Sequence, residues 1–160
     1  DKININDIVS NALIAHQEVI AKEGITLIKD FGELPISSVD QGMMSQVINN
    51  IFKNGYESLI DKTNKEIRIK TYSDGKWICV AIEDTGVGIS SENLKKIFSP
   101  FFSTKGAYSI GESKQSNYPG TGLGLSVSHA IITKHGGEID VQSVENIGST
   151  FTIKIPHIAE

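Results

Sequence analysis

An apolar strand, an acidic side chain and a glycine turn follow one another in Trp77-Ile78-Cys79-Val80-Ala81-Ile82-Glu83-Asp84-Thr85-Gly86-Val87-Gly88. The side chains of Ile78, Val80 and Ile82 share one face of the predicted strand. Asp84 has the same parity, so its carboxylate must find a hydrogen-bond donor or lose several kcal/mol on burial. The glycines allow backbone to approach a ligand closely. The segment therefore predicts a ligand-binding carboxylate or, with equal weight, an Asp that caps its own turn.

The flanking segments predict the rest of a sheet and its helices. Residues 67–71 alternate apolar and polar side chains, and Ser73-Asp74-Gly75-Lys76 turns the chain back into the strand at 77–84. Further strands are expected at residues 25–29, 138–144 and 150–155, and helices at residues 7–22, 92–98 and 122–135. Blocks of helices and antiparallel strands without strict βαβ alternation predict an α/β (α+β) fold, a two-layer sandwich whose mixed, mostly antiparallel sheet carries helices on one face.

A long helix is expected to begin at Asp40, whose side chain can cap it. Its buried stripe is predicted to consist of Met43, Met44, Val47, Ile48, Ile51 and Leu59. Asn50 and Asn54 lie one turn apart on one face of this helix. Their amide oxygens suit Mg²⁺, a hard cation that shares its shell with water and phosphate. Taken alone, two helix-surface amides remain the preferred interpretation of the pair.

The composition is that of an ordinary globular protein, because 39% of the 160 residues are hydrophobic and 21% are charged. A chain of this length is expected to form a single domain, residues 1–160. The formal net charge of −4 argues against nucleic acid as a partner. Cys79 is the only cysteine, which fits a reducing, cytoplasmic compartment. Since the chain begins at Asp1 without a methionine, we expect a domain cut from a longer protein that can itself be membrane-anchored.

A second glycine segment, Gly120-Thr121-Gly122-Leu123-Gly124-Leu125, directly precedes the last predicted helix. Glycines at a helix start expose N–H groups where phosphate is favoured. The segment does not follow a strand, which excludes a dinucleotide fingerprint, and the Gly-Lys-Ser/Thr of a P-loop is missing. Residues 105–119 are long and aperiodic, as in a lid over a ligand or a disordered loop. The preceding Phe101 and Phe102 either anchor its hinge or belong to the core, and Lys105 either reaches phosphate or is solvated.

Four motifs occur in a fixed order: Asn-x-x-x-Asn, Asp-x-Gly-x-Gly, Phe-Phe-x-Thr-Lys and Gly-Thr-Gly-Leu-Gly-Leu. In this order they resemble the nucleotide-binding boxes of the sensor histidine kinases, a family grouped with gyrase, the heat-shock chaperone ATPases and the mismatch-repair ATPases. The resemblance extends to Leu34-Pro35, His135-Gly136-Gly137 and Gly148-Ser149-Thr150-Phe151. It implies a Bergerat-type ATP-binding fold over nearly the whole chain.

The resemblance implies ATP and Mg²⁺ as ligands. Asn54, with Asn50, would hold Mg²⁺ against the phosphates, and Asp84 would accept a hydrogen bond from the adenine amine. Thr150 corresponds to a threonine that joins the adenine-side hydrogen bonds, although its strand parity opposes that of Phe151. The expected ATP-binding residues are Asn50, Asn54, Asp84, Gly86, Gly88, Ile89, Thr104, Lys105, Thr121, Gly122, Leu123, Gly124, Leu125 and Thr150.

Asn50 distinguishes the chain from several relatives, which typically carry a glutamate base at this place. An amide cannot take a proton from water or from a serine hydroxyl, whereas a histidine nitrogen has an available lone pair. The resemblance therefore implies a kinase that phosphorylates histidine on a separate dimerisation helical domain, within a homodimeric parent that serves a response regulator. No catalytic residue is assigned, and all four histidines are expected to be surface or structural. A hydrolysing ATPase and a non-enzymatic nucleotide-binding adaptor remain the alternatives.

Overall fold

The computed structural model describes residues 2–98 and 124–157. The helices are α1 (Ile5–Ala15), α2 (Gln17–Lys22), α3 (Gln41–Glu57), α4 (Ser91–Leu94) and α5 (Gly124–Lys134). The strands are β1 (Lys2–Ile3), β2 (Thr26–Phe31), β3 (Ser37–Ser38), β4 (Glu66–Ser73), β5 (Trp77–Asp84), β6 (Glu138–Val144) and β7 (Gly148–Pro156). In the described part of the chain, no helix has the length and apolar character needed to cross a membrane.

The main sheet has five strands in the order β2-β4-β5-β7-β6. Only the β2–β4 pair within it is parallel; β4–β5, β5–β7 and β6–β7 are antiparallel. A separate small ladder pairs β1 with β3. The predicted α/β fold, with its mixed and mostly antiparallel sheet, is confirmed.

The core lies between one face of this sheet and the helical layer. Ile82 in β5 pairs with Phe151 in β7, and both side chains are about 1% exposed. α3 packs against β5 and lies between α1 and α5 in the helical layer. On the other face of the sheet, β4 and β5 carry exposed charged residues such as Arg68 and Glu83. Exposed charges at these positions agree with helices that cover one face of the sheet, although Cys79, on the same face as Glu83, is buried.

α3 begins where the sequence predicts. The Asp40 carboxylate accepts a hydrogen bond of 2.9 Å from the backbone N–H of Met43, which caps the helix. The backbone N–H of Asp40 donates to Nε2 of His135, just beyond the end of α5, at 3.2 Å. The predicted stripe is buried or partly buried along its whole length, although Leu59 lies just past the end of the helix. α5 ends as predicted, at Gly136 with φ of 77°.

Two helix predictions were wrong in extent. Residues 7–22 do not form one helix, because the chain breaks at His16 with φ −106° and ψ 9°. The His16 ring is fixed to α3 by a 2.8 Å hydrogen bond to Asn49 and by contacts with the Phe52 and Tyr56 rings. α2 buries no residue completely, so little packing would favour a continuous helix. The helix expected at 92–98 is a single turn, Ser91–Leu94.

Candidate functional site

Asp84, the last residue of β5, lies beneath the C-terminal half of α3. Its side chain is 4% exposed. A Cβ atom on Gly55 of α3 would lie 3.8 Å from the Asp84 carboxylate, so the helix passes directly over the acid. The backbone N–H of Gly86 donates to Oδ1 at 2.9 Å. Parity along β5 therefore predicted the burial of this carboxylate correctly, and the turn-capping interpretation accounts for only one of its two oxygens.

Burial is the main electrostatic influence on Asp84. Loss of solvation raises the pKa of this carboxyl group from an ordinary 3.8 to about 6, while hydrogen bonds from the Gly86 backbone, the Ser58 side chain and the Ser149 backbone partly oppose the rise. The Ser58 hydroxyl also lies within reach of the Gly55 carbonyl, at 2.6 Å, so its single proton is shared between two acceptors. No cation of the described residues offsets the burial of this charge: the charge neighbour that affects it is Glu83, which raises the pKa further. Asp84 is thus a buried acid that ionises near neutral pH and lacks a charged partner, as expected of a binding site for a neutral donor.

The glycine turn after Asp84 is held tightly by the protein itself. A Cβ on Gly86 would collide with the Ser58 side chain, and one on Gly88 would collide with the carbonyl of Val144. Gly88 also has φ of 71°, which favours glycine. The Ile89 N–H donates to the Ser143 hydroxyl at 2.7 Å, which fixes the end of the turn to β6. Close packing against neighbouring segments therefore requires both glycines, in addition to any approach by a ligand.

The asparagine pair lies on α3, with Asn50 more than one turn before Gly55 and Asn54 directly before it. Asn50 donates from Nδ2 to the Gly124 carbonyl at 3.4 Å and to the Ser128 hydroxyl at 3.3 Å. Asn50 and Gly55 are five residues apart, or roughly 7.5 Å along the axis at the α-helical rise. The start of α5 and the buried acid thus both contact α3, at Asn50 and at Gly55 respectively. Asn54 lies between them and is half-buried.

The structure does not bring Thr150 to the buried acid. In the β5–β7 register Asp84 pairs with Ser149, and Thr150 pairs with the exposed Glu83. Ser149 is 6% exposed, and its hydroxyl lies 2.8 Å from that of Ser143. The parity of Phe151 already indicated this result, because neighbours along a strand point to opposite faces. Ser149 takes the place expected for Thr150 beside the acid.

Some of the remaining predicted site residues lie within the described part of the chain, and others lie outside it. Ile89 and Leu125 are partly buried against the core. Thr104, Lys105, Thr121, Gly122 and Leu123 lie outside the described residues, as do Phe101, Phe102 and the proposed lid at 105–119. Sequence analysis missed Ser58, Ser128 and Ser149. Their positions depend on contacts between distant segments, and only the parity of Ser149 was visible beforehand.

The side chains of the site determine which kind of metal ion it could hold. Residues 2–98 and 124–157 contain no group of three or more His, Cys, Asp or Glu side chains placed to hold one. The donors proposed on α3 are the neutral amides of Asn50 and Asn54. Such a set suits Mg²⁺, which keeps most of its shell as water and phosphate and takes few protein ligands. The donor set fits a cation that arrives with a nucleotide, and does not fit a resident structural metal.

Comparison with known proteins gives consistent matches. The family described as histidine kinase-, DNA gyrase B- and HSP90-like ATPase matches residues 39–159. The signal transduction histidine-protein kinase AtoS of Escherichia coli K12 is 33% identical over 97% of this chain, which covers 24% of AtoS. The chain spans about a quarter to a third of the length of such curated relatives.

Solved structures agree with this match. The nucleotide-free catalytic domain of the histidine kinase ThkA superposes with a TM-score of 0.81 at 30% identity, covering 98% of this chain and 96% of that domain. ThkA in complex with the response regulator TrrA gives a TM-score of 0.77 at 28% identity, covering 98% of this chain and 41% of that one.

Proposed function

This chain belongs to the histidine kinase-, DNA gyrase B- and HSP90-like ATPases, as an ATP-binding catalytic domain of the sensor histidine kinase type, and on that premise we propose how its residues bind Mg·ATP and transfer phosphate. The observation that carries the proposal is the buried Asp84 carboxylate, which is 4% exposed and has no cationic partner among the described residues. An amine donor from adenine would add a hydrogen bond at the carboxylate oxygen that does not accept from the Gly86 N–H.

At the adenine end, Asp84 would accept a hydrogen bond from the exocyclic amine. Ser149 lies beside it in the β5–β7 pair, and Gly86 and Gly88 shape the turn that follows. The ionised carboxylate accepts hydrogen bonds only, so it selects a donor at this place and discriminates against a purine that presents a carbonyl there. Adenine would therefore be preferred over guanine.

At the phosphate end, the first turn of α5 and the asparagine face of α3 would share the triphosphate. The helix N-terminus favours negative charge. Asn50 and Asn54 would hold Mg²⁺, which would supply charge neutralisation for the phosphates when bound. Thr104, Lys105, Thr121, Gly122 and Leu123 are proposed to complete this part of the site, with residues 105–119 as its lid.

The proposed reaction is phosphoryl transfer to a histidine. A neutral imidazole nitrogen uses its lone pair to form the N–P bond, the bond between the γ-phosphorus and the β–γ bridging oxygen breaks, and ADP leaves with that electron pair. The protein positions the reactants and neutralises charge, and needs no base for this nucleophile. Asn50 cannot act as a base, which disfavours hydrolysis as the main activity.

The partners follow from this reaction. We propose that the histidine lies on a separate helical dimerisation domain of a homodimeric parent kinase, and that a response regulator receives the phosphoryl group. ThkA was crystallised in complex with such a regulator. Residues 1–160 would form one domain, located in the cytoplasm, of a parent that can be membrane-anchored.

A transfer assay tests the proposal. The chain is mixed with a histidine-containing dimerisation domain and γ-labelled ATP, and we expect a label that is acid-labile and base-stable. Asp84→Asn should abolish labelling by weakening adenine binding, while Asp30→Asn, an exposed carboxylate on β2, serves as the matched control. Absence of transfer to histidine while ATP binds would exclude the kinase. Rapid ATP hydrolysis in its place would support the ATPase, and no nucleotide binding would support the adaptor.

A further inference from the structure

Ser128 is a fully buried hydroxyl at the contact between α3 and α5. Its exposed fraction is 0%, and it belongs to none of the four nucleotide-binding motifs. Its Oγ donates to the Gly124 carbonyl one turn earlier in α5, at 2.8 Å. The same oxygen lies 3.3 Å from Nδ2 of Asn50, which lies 3.4 Å from the Gly124 carbonyl. Ser128 and Gly124 thus form a small polar pocket around one end of the Asn50 amide.

The donors and acceptors in this pocket determine how the amide is oriented. A carbonyl oxygen only accepts, so Gly124 must face the NH₂ end of Asn50. Ser128 has one proton, already given to Gly124, so toward Asn50 it can only accept. Both contacts therefore exclude the flipped amide, in which the carbonyl of Asn50 would meet two acceptors. Oδ1 of Asn50 must point away from α5, and it accepts no hydrogen bond from residues 2–98 or 124–157.

We propose that Ser128 is a positioning residue that fixes the flip of the Asn50 amide, so that Oδ1 is presented to the Mg²⁺ of a bound nucleotide. The inference rests on the proposed function, because it needs Asn50 to be a metal ligand. An amide oxygen is a hard ligand, whereas the NH₂ end would repel the cation. Holding the amide in one orientation before binding removes part of the ordering cost of binding.

A simpler role for Ser128 would be local. Serine in a helix interior often bonds to the carbonyl four residues earlier, and such a bond requires no function. In that case loss of the hydroxyl would alter helix stability but would not distinguish nucleotide with Mg²⁺ from nucleotide without it. The magnesium dependence of binding therefore separates the two roles.

The experiment measures the affinity of the chain for a non-hydrolysable ATP analogue in excess MgCl₂ and in EDTA. The ratio of the two affinities is the magnesium gain. Ser128→Ala should lower this gain about three- to tenfold, the equivalent of one net hydrogen bond, and leave the affinity in EDTA unchanged. Ser45→Ala is the matched control, because it removes a half-buried hydroxyl of α3 and keeps the backbone carbonyl that accepts from Asn49.

A double-mutant cycle tests whether Ser128 acts through Asn50. Asn50→Ala should lower the magnesium gain by itself, and adding Ser128→Ala should then change nothing further, since the side chain to be oriented is gone. An equal loss in both backgrounds, or no loss in wild type, would overturn the inference while leaving the proposed function intact. A wild-type chain that binds the analogue without any magnesium gain would instead overturn the metal role of Asn50 and this inference with it.

A measurement on the wild-type chain does not depend on how well Ser128→Ala folds. The Nδ2 protons of Asn50, assigned in an NMR spectrum by their loss in Asn50→Ala, should exchange with solvent more slowly than those of exposed asparagines. Ser128→Ala, where it folds, should speed this exchange. Fast exchange in wild type would mean that the amide is not held, and the inference would be wrong.

Discussion

Asp84→Asn should stabilise the ligand-free chain above neutral pH while removing its adenine recognition. The carboxylate is 4% exposed, and burial raises its pKa from 3.8 to about 6. Asparagine has nearly the same shape, keeps an oxygen that can accept from the Gly86 N–H, and carries no charge. The substitution therefore removes the ionisation of a buried group with little change in packing.

The sign and size of the effect follow from linkage. Because the folded state holds this proton more tightly than the unfolded state, the contribution of Asp84 to stability is fully present below pH 3.8 and is lost as pH rises toward 6. A rise from 3.8 to about 6, at roughly 1.4 kcal/mol for each pH unit, corresponds to a loss on the order of 3 kcal/mol. Asparagine does not suffer this loss.

Urea unfolding at several pH values measures the prediction. The free energy of unfolding of Asp84→Asn minus that of wild type should increase by on the order of 2–3 kcal/mol between about pH 4 and about pH 8. The increase is the informative quantity, because a constant difference in packing cancels between pH values. Asp30→Asn, at an exposed position, should show no comparable increase. A pH-independent difference, or a variant that loses stability relative to wild type as pH rises, would refute the assigned burial penalty.

Three further outcomes are expected. Adenosine binding, measured by competition, should weaken about tenfold for each pH unit below 6, because binding needs ionised Asp84. An affinity that does not change with pH would contradict this role. Gly55→Ala should raise the free energy of unfolding by about 1 kcal/mol in a thermal scan, because alanine favours the helix and its Cβ would lie at an ordinary 3.8 Å from Asp84. A loss of stability would mean that the site cannot accept a methyl group. Ser149→Ala should weaken nucleotide binding about fivefold in a titration, because Ser149 pairs with Asp84. Thr150→Ala should leave binding unchanged, because Thr150 pairs with Glu83. The reverse ranking of the two variants would contradict this strand register.

Sequence patterns predicted those features that depend on neighbours along the chain. The alternation of Ile78, Val80 and Ile82 predicted that Asp84 lies on the buried face. The carboxylate of Asp40, three residues before Met43, predicted the N-terminal cap of α3. In both cases the deciding geometry is the period of a strand or the first turn of a helix. Such local geometry is determined by the order of residues along the chain.

Features that join distant segments were not predictable in this way. Ser128 contacts Asn50 across 78 residues. The pairing of Asp84 with Ser149 depends on a register between two strands that are far apart in the sequence. A shift of one residue in that register would have put Thr150 beside the acid instead. The break at His16 has the same origin, since its partners lie on α3. Tertiary contacts decided these positions against equally good local alternatives.

The unfavourable burial of Asp84 and its proposed role have one physical cause. Removal of water raises the pKa of the carboxylate and lowers stability at neutral pH, and the same removal strengthens any hydrogen bond that a ligand donates to it. The Gly86 N–H donates to one carboxylate oxygen, and an adenine amine would add a donor at the other. Asp84→Asn separates the two effects, because stability without ligand should rise in the same variant and at the same pH where nucleotide binding falls. A loss of both together would contradict the burial penalty assigned to Asp84.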